Sequence, residues 1–204
     1  MNFENNRITD IERLKAFLYK AKSNTFAANA TKISLTDQTS VFSFRCFDDE
    51  TFGEYIYNDK YSGNIVDGGQ ESISIDLAMI WCNQYYGGTR YNSIPYEKGV
   101  KDLKMWSKFI TTFLKQALMQ TPESFPLRGP EKFHCKRITV ENLEVSGDWE
   151  YINKWSSVPL FESDDPFASF RGFETIKFND AEIFWHSYHG GLIIDKFFPI
   201  CIKK

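Results

Sequence analysis

Residues 69–88 read GQESISIDLAMIWCNQYYGG and residues 172–191 read GFETIKFNDAEIFWHSYHGG. Laid over each other at a spacing of 103 without a gap, they agree at eight of twenty positions: Gly69/Gly172, Glu71/Glu174, Ile73/Ile176, Ala78/Ala181, Ile80/Ile183, Tyr85/Tyr188, Gly87/Gly190 and Gly88/Gly191. Self-similarity of this kind means that one supersecondary plan is used twice, so it decides the fold. Upstream, residues 53–62 lie over 147–156 at a spacing of 94, and Phe17, Leu18 and Ala21 over Phe113, Leu114 and Ala117 at 96. The change from 94 to 103 puts nine extra residues into the second copy, between Ser157 and Arg171.

Each copy opens on a helix. Thr9-Asp10-Ile11-Glu12 has the spacing of a capping box, in which a hydroxyl and a carboxylate satisfy the free N–H groups of the first turn. Ile11, Leu14, Phe17, Leu18 and Ala21 then form one apolar stripe. A longer stripe from Val100 through Trp106, Phe109, Phe113 and Ala117 predicts a second helix over residues 99–120, ended by Thr121-Pro122. The pattern elsewhere alternates with period two in β-branched and aromatic residues, which predicts strands at 40–47, 53–61, 71–75, 78–86, 133–140, 148–155, 173–178 and 181–188. The expected architecture is α+β: a single domain, 1–204, made of two helix-plus-four-strands repeats at roughly 8–98 and 99–204. Two helices should pack on one mainly antiparallel sheet, with pseudo-twofold symmetry.

The 204 residues are 17% aromatic and 25% charged with a formal charge of −3, which describes a globular chain with no broad basic footprint for nucleic acid. The polar start of the chain has no apolar leader and no apolar run approaches a membrane span, so a cytoplasmic protein without membrane contact is expected. Cys46, Cys82, Cys135 and Cys201 contain no C-x-x-C pair and read as buried free thiols. No nucleophile elbow, phosphate loop or metal-ligand spacing occurs, and neither a cofactor nor a metal is expected.

The repeated hairpin carries a carboxylate in phase with its apolar residues: Glu71 with Ile73 and Ile75, Glu174 with Ile176 and Phe178. A buried carboxylate needs hydrogen bonds or a counter-charge. A two-residue turn at Asn179-Asp180 would pair Phe178 with Ala181, Ile176 with Ile183 and Glu174 with Trp185, and put Ser187 and His189 on the same face. In the first copy Cys82 would stand opposite Glu71, followed by Gln84 and Tyr86. The candidate ligand-binding residues are therefore Glu71, Trp81, Gln84, Tyr86, Glu174, Trp185, Tyr188 and His189, around an aromatic pocket suited to a small planar or cationic ligand. His186 and His189, three apart on a strand, would face opposite ways and cannot chelate one metal.

Phe17-Leu18-Tyr19-Lys20-Ala21-Lys22, Pro126-Leu127-Arg128-Gly129-Pro130, Gly172-Phe173-Glu174 and Tyr188-His189-Gly190-Gly191-Leu192-Ile193 resemble an uncharacterised bacterial family catalogued as a domain of unknown function. Gln70 and Gln84 depart from its pattern. Members occur alone or downstream of phage-repressor-like helix-turn-helix domains, which implies a sensing role and no established activity. The expected function is a non-catalytic small-molecule-binding or sensing module. The alternatives are an enzyme using Glu174 or His189 as general base, and a protein-interaction module that forms a homodimer.

Overall fold

The computed structural model describes residues 11–28, 30–48, 53–95, 102–157, 165 and 167–193. Two helices, α1 (Ile11–Lys22) and α2 (Leu103–Leu118), accompany nine strands. These are β1 (Ile33–Ser34), β2 (Ser40–Asp48), β3 (Gly53–Gly63), β4 (Val66–Ile75), β5 (Ala78–Thr89), β6 (Lys132–Val140), β7 (Leu143–Ser157), β8 (Ser169–Phe178) and β9 (Ala181–Leu192). All pair antiparallel in one sheet of order β1-β2-β3-β4-β5-β9-β8-β7-β6, an α+β architecture. The eight expected strands are present, each extended by one to several residues. The two-residue strand β1 has no alternation long enough to announce it.

Asp102 caps α2, its side chain accepting from the Lys104 N–H. The expected first turn, from Gly99, and the capping box at Thr9 lie outside the described residues. Both helices cover the same sheet face. The α1 stripe packs with Tyr55, Tyr57, Ile73 and Trp81, whereas α2 packs with Trp149, Tyr151, Ile176, Phe178 and Phe184. Each fully buried side chain of this size contributes roughly 1.5–3 kcal/mol, so the two apolar stripes account for the placement of the helices. Among the described residues, no helix is long and apolar enough to cross a membrane. Cys46, Cys82 and Cys135 are free but half-exposed rather than buried, and Cys201 lies outside the described residues.

Tight turns set the register. Asn179-Asp180 joins β8 to β9 with φ of 47° and 69°, and Asp76-Leu77 joins β4 to β5 with 47° and 71°, the signature of type I′ hairpins. Phe178 faces Ala181 as expected, but the pairing then slips. Ile176 stands opposite Phe184 and Lys177 opposite Glu182, which leaves Ile183 as the extra residue of a β-bulge. The same occurs in β4–β5, where Ile73 faces Trp81, Ser74 faces Met79 and Ile80 is extra. Ile80 and Trp81, like Ile183 and Phe184, are consecutive and buried, which strict alternation cannot achieve.

This corrects the expected faces, since one inserted residue inverts every side chain beyond it. Asn83, not Cys82, stands opposite Glu71, and His186, not Trp185, opposite Glu174. Gln84, Tyr86, Trp185, Ser187 and His189 move to the face without helices. Gly172 faces Tyr188, and a Cβ there would lie 2.1 Å from the ring, so only glycine leaves room for it. Gly69 does the same for Tyr85.

Leu77 occupies the left-handed region of its turn and is 86% exposed, so its side chain returns nothing for the strain. Leu77→Gly, which creates an Asp-Gly turn, should stabilise the protein by about 0.5–1 kcal/mol in urea unfolding; a loss of stability would contradict the turn assignment.

Candidate functional site

The centre of the helix-covered face is polar. Four tyrosines come from four strands: Tyr57 (β3), Tyr85 (β5), Tyr188 (β9) and Tyr151 (β7). The chain after α2 turns back through Pro126-Leu127-Arg128-Gly129 and inserts Arg128 among them. Its guanidinium lies over the rings of Tyr85 (5.2 Å) and Tyr188 (5.8 Å), two close cation–π contacts. It hydrogen-bonds and pairs with Glu174, and lies 3.7 Å from Glu71.

Each glutamate has a full set of partners. Glu71 accepts from Tyr57 Oη (3.1 Å) and Asn83 Nδ2 (2.8 Å) and pairs with Lys22 Nζ at 3.0 Å. Glu174 accepts from Tyr151 Oη (2.6 Å) and meets His186 Nδ1 at 2.9 Å, beside Arg128. Burial by itself would raise both carboxyls. The facing cations win and hold both below the ordinary carboxylate range, Lys22 and Arg128 for Glu71, and Arg128 and His186 for Glu174. His186 Nε2 reaches Asp67 at 2.5 Å. Burial pushes this imidazole down, yet the bonds to Asp67 and Glu174 carry it above its usual value. With both ring nitrogens beside carboxylates, the surroundings of His186 favour its protonated form.

Tyr85 Oη donates to Asp59 at 2.8 Å, and Tyr188 Oη donates to Asn153 at 2.7 Å. Asn153 Nδ2 in turn donates to the Gly129 carbonyl, which anchors the turn that carries Arg128. Asp59 is the exception in the cluster. Burial, followed by the charge on Glu71, pushes its carboxyl up to about 7, against weaker opposing effects of the Tyr85 hydroxyl, Arg128 and Lys22. It lines a cavity of about 60 Å³ between the ends of the two helices and the sheet, with Phe26, Tyr57, Tyr61, Tyr85 and Arg128 in its wall. That is room for roughly four water molecules. Arg128 Nε is buried with no hydrogen-bond partner among the described residues.

Of the residues expected at the site, Glu71, Glu174 and Tyr188 meet in this cluster. Trp81 is buried on the same face but stacks on Phe167 (5.2 Å) and Phe170 (5.9 Å), in the core beside it. Gln84, Tyr86, Trp185 and His189 lie on the opposite face, so Ser187 and His189 cannot reach Glu174. Arg128, Lys22, Asp59, Asp67 and His186 were not anticipated. Asp59 was legible: it is in phase with Tyr55 and Tyr57, the signal that singled out Glu71. Arg128 lies in an irregular turn with no periodicity to place it. No group of three or more His, Cys, Asp or Glu side chains among the described residues could hold a metal ion.

A family model described as "Domain of unknown function (DUF5680)" matches residues 59–193, a span that contains Asp59, Glu71, Arg128, Glu174 and His186. No curated protein and no solved structure matches the chain.

Arg128→Met removes the cation that contacts both Glu71 and Glu174 and should cost about 3–5 kcal/mol in denaturant unfolding; a loss below 1 kcal/mol would show that the cluster is not held by this cation. The folded Asp59 carboxyl titrates near 7 and an unfolded aspartate near 3.9. Folding therefore takes up a proton between these values, and Asp59 erodes stability as pH rises from about 4 to about 7. Asp59→Asn should melt at a higher temperature than the parent at pH 8, with the difference shrinking toward pH 5.

Proposed function

The chain belongs to the DUF5680 family, a domain of unknown function, and we propose that it is a non-catalytic binding module that takes a small cationic ligand, aliphatic or planar, beside Asp59. The observation that carries this reading is one carboxylate in excess. Glu71 contacts Lys22, Glu174 contacts Arg128, and Asp67 contacts His186, whereas Asp59 accepts only the Tyr85 hydroxyl and has no ion pair among the described residues. Its counterpart beside Tyr188 is the neutral amide of Asn153, which needs no counter-charge. A ligand ammonium or guanidinium at Asp59 would supply the missing charge, and the rings of Tyr57 and Tyr61 in the same wall suit a cation. The cavity volume favours a compact head group.

We infer further that the sheet arose by internal duplication of a helix-plus-four-strands unit, with the pseudo-twofold axis passing between Tyr85 and Tyr188. The central register supports this: Tyr85 pairs with Tyr188, flanked evenly by Trp81 with Leu192 and Thr89 with Phe184. So do the two bulges after Ile73 and Ile176 and the two left-handed turns at matching positions. On this reading Asp59 against Asn153 and Asn83 against His186 are the positions where the halves diverged, and a ligand at the axis would be sensed by both. The resemblance to bacterial proteins that also occur behind repressor-type helix-turn-helix domains fits such a sensor in the cytoplasm.

At pH 8, where Asp59 is ionised, millimolar butylamine, benzamidine or choline should raise the melting temperature of the parent protein in proportion to the logarithm of concentration. The shift should vanish in Asp59→Asn and weaken below pH 7. No shift with any of the three, or an equal shift in the variant, would refute the proposal.

A further inference from the structure

We propose a second site on the opposite, helix-free face of β7, β8 and β9, for a planar anion: an aromatic ring bearing a phosphate or carboxylate, as in a nucleotide. The bulge that turns His186 inward turns Trp185, Ser187 and His189 outward, and the register arrays them in rows. In one row Ser156 stands opposite Arg171 and Arg171 opposite His189; in the next, Lys154 faces Phe173, Phe173 faces Ser187 and Ser187 faces Tyr86. Trp185 is one row further on, opposite Thr175. Phe173 stacks on Trp185 at 5.8 Å and 19°, and Tyr86 meets the same indole edge-on at 6.0 Å. Tyr86 is 58% exposed and Phe173 39%, so the rings form an open platform.

A groove of about 580 Å³ runs beside the platform, with Lys154, Ser156, Arg171, Phe173, Ser187 and His189 in its lining and no carboxylate. Arg171 donates only to Ser156 Oγ at 3.3 Å, and neither it nor Lys154 forms an ion pair among the described residues. Two cations with no ion pair among the described residues, in a chain of net charge −3, mark a place complementary to an anion. Lys154 is one strand spacing, roughly 4.8 Å, from Phe173, and Arg171 is two residues along the same strand, roughly 6.5 Å away. A ring stacked on Phe173 therefore carries its anionic substituent over both cations, with the Ser187 hydroxyl and His189 imidazole in reach.

The first half of the sheet has a groove of about 540 Å³ in the corresponding place, and it lacks these features. Lys60 there is held by Asp37 at 3.2 Å, and Gln70 and Gly68 stand where Phe173 and Arg171 do. Among the described residues, rings and cations without an ion pair coincide in the second groove and not in the first, so they do not follow from sheet packing in general. The site is independent of the cavity at Asp59, which lies on the other face.

Titration calorimetry with AMP, adenosine, inorganic phosphate and a ten-residue oligothymidylate, at 50 and 500 mM NaCl, tests the proposal on the full chain. AMP should bind at least tenfold more tightly than adenosine or phosphate, and weaken at high salt. Arg171→Glu and Phe173→Ala, both at exposed positions, should each weaken binding at least tenfold without changing the melting temperature. Binding of the oligonucleotide but not AMP, lost in the same variants, would identify a polynucleotide as the source of the planar anion. Absence of heat with AMP and oligonucleotide alike, or binding unchanged in both variants, would overturn the site. A dimer in light scattering that Phe173→Ala converts to monomer would assign the face to a second copy instead.

Discussion

The rest of the molecule is arranged around one guanidinium. Arg128 lies between the rings of Tyr85 and Tyr188 at the junction of β5 and β9, and meets carboxylates that reach it from β4 and β8. It is the cation that both glutamates share, with Lys22 completing the pairing of Glu71 and His186 that of Glu174, and an unpaired buried charge is among the most destabilising features a core can contain. The requirement extends outward. The turn that carries Arg128 is tied to Asn153 through the Gly129 carbonyl, Asn153 is set by Tyr188, and Gly172 must stay without a side chain so that the Tyr188 ring can lie flat. A nine-stranded sheet is thus joined across its middle by a polar core, with an apolar cluster under each helix on either side.

The polar core is nearly self-compensating, which gives its one imbalance meaning. Lys22, Arg128 and His186 answer Glu71, Glu174 and Asp67, and Asp59, beside a small cavity, has no ion pair among the described residues. A carboxyl pushed up to about 7 by burial is cheap to ionise once a cation arrives and costly to ionise alone, so ligand binding and proton release would be linked there. The two bulges partition chemistry between the faces. They turn Asn83 and His186 toward the glutamates, and expel Tyr86, Trp185 and His189 to the helix-free side, where they gather beside Arg171 and Lys154.

Much of this was legible in the residues. Period-two alternation located eight strands, the apolar stripes located both helices, and the Asn179-Asp180 turn fell where the residues predicted it. Glu71 and Glu174 were recognised as buried carboxylates because a charge in phase with isoleucines has no other place to point. What failed was the phase of β5 and β9 beyond the turn. Ile80-Trp81 and Ile183-Phe184 put two large apolar residues side by side in both strands, and read as a pair they announce a bulge; read as ordinary alternation, they invert everything that follows.

The sequence by itself determined the elements, their antiparallel connection and the presence of two carboxylates that must be neutralised, because these depend on local periodicity and on the energetic penalty of a bare buried charge. Only the tertiary structure decided what neutralises them. Arg128 and Lys22 are 57 and 49 residues from Glu71 along the chain, and both lie at helix ends or turns, where no periodicity reports direction. Their arrival over the glutamates follows from two helices docking on one sheet face, and the choice of His186 over Trp185 as the partner of Glu174 follows from a single residue bulged out to keep Ile183 and Phe184 in the same core.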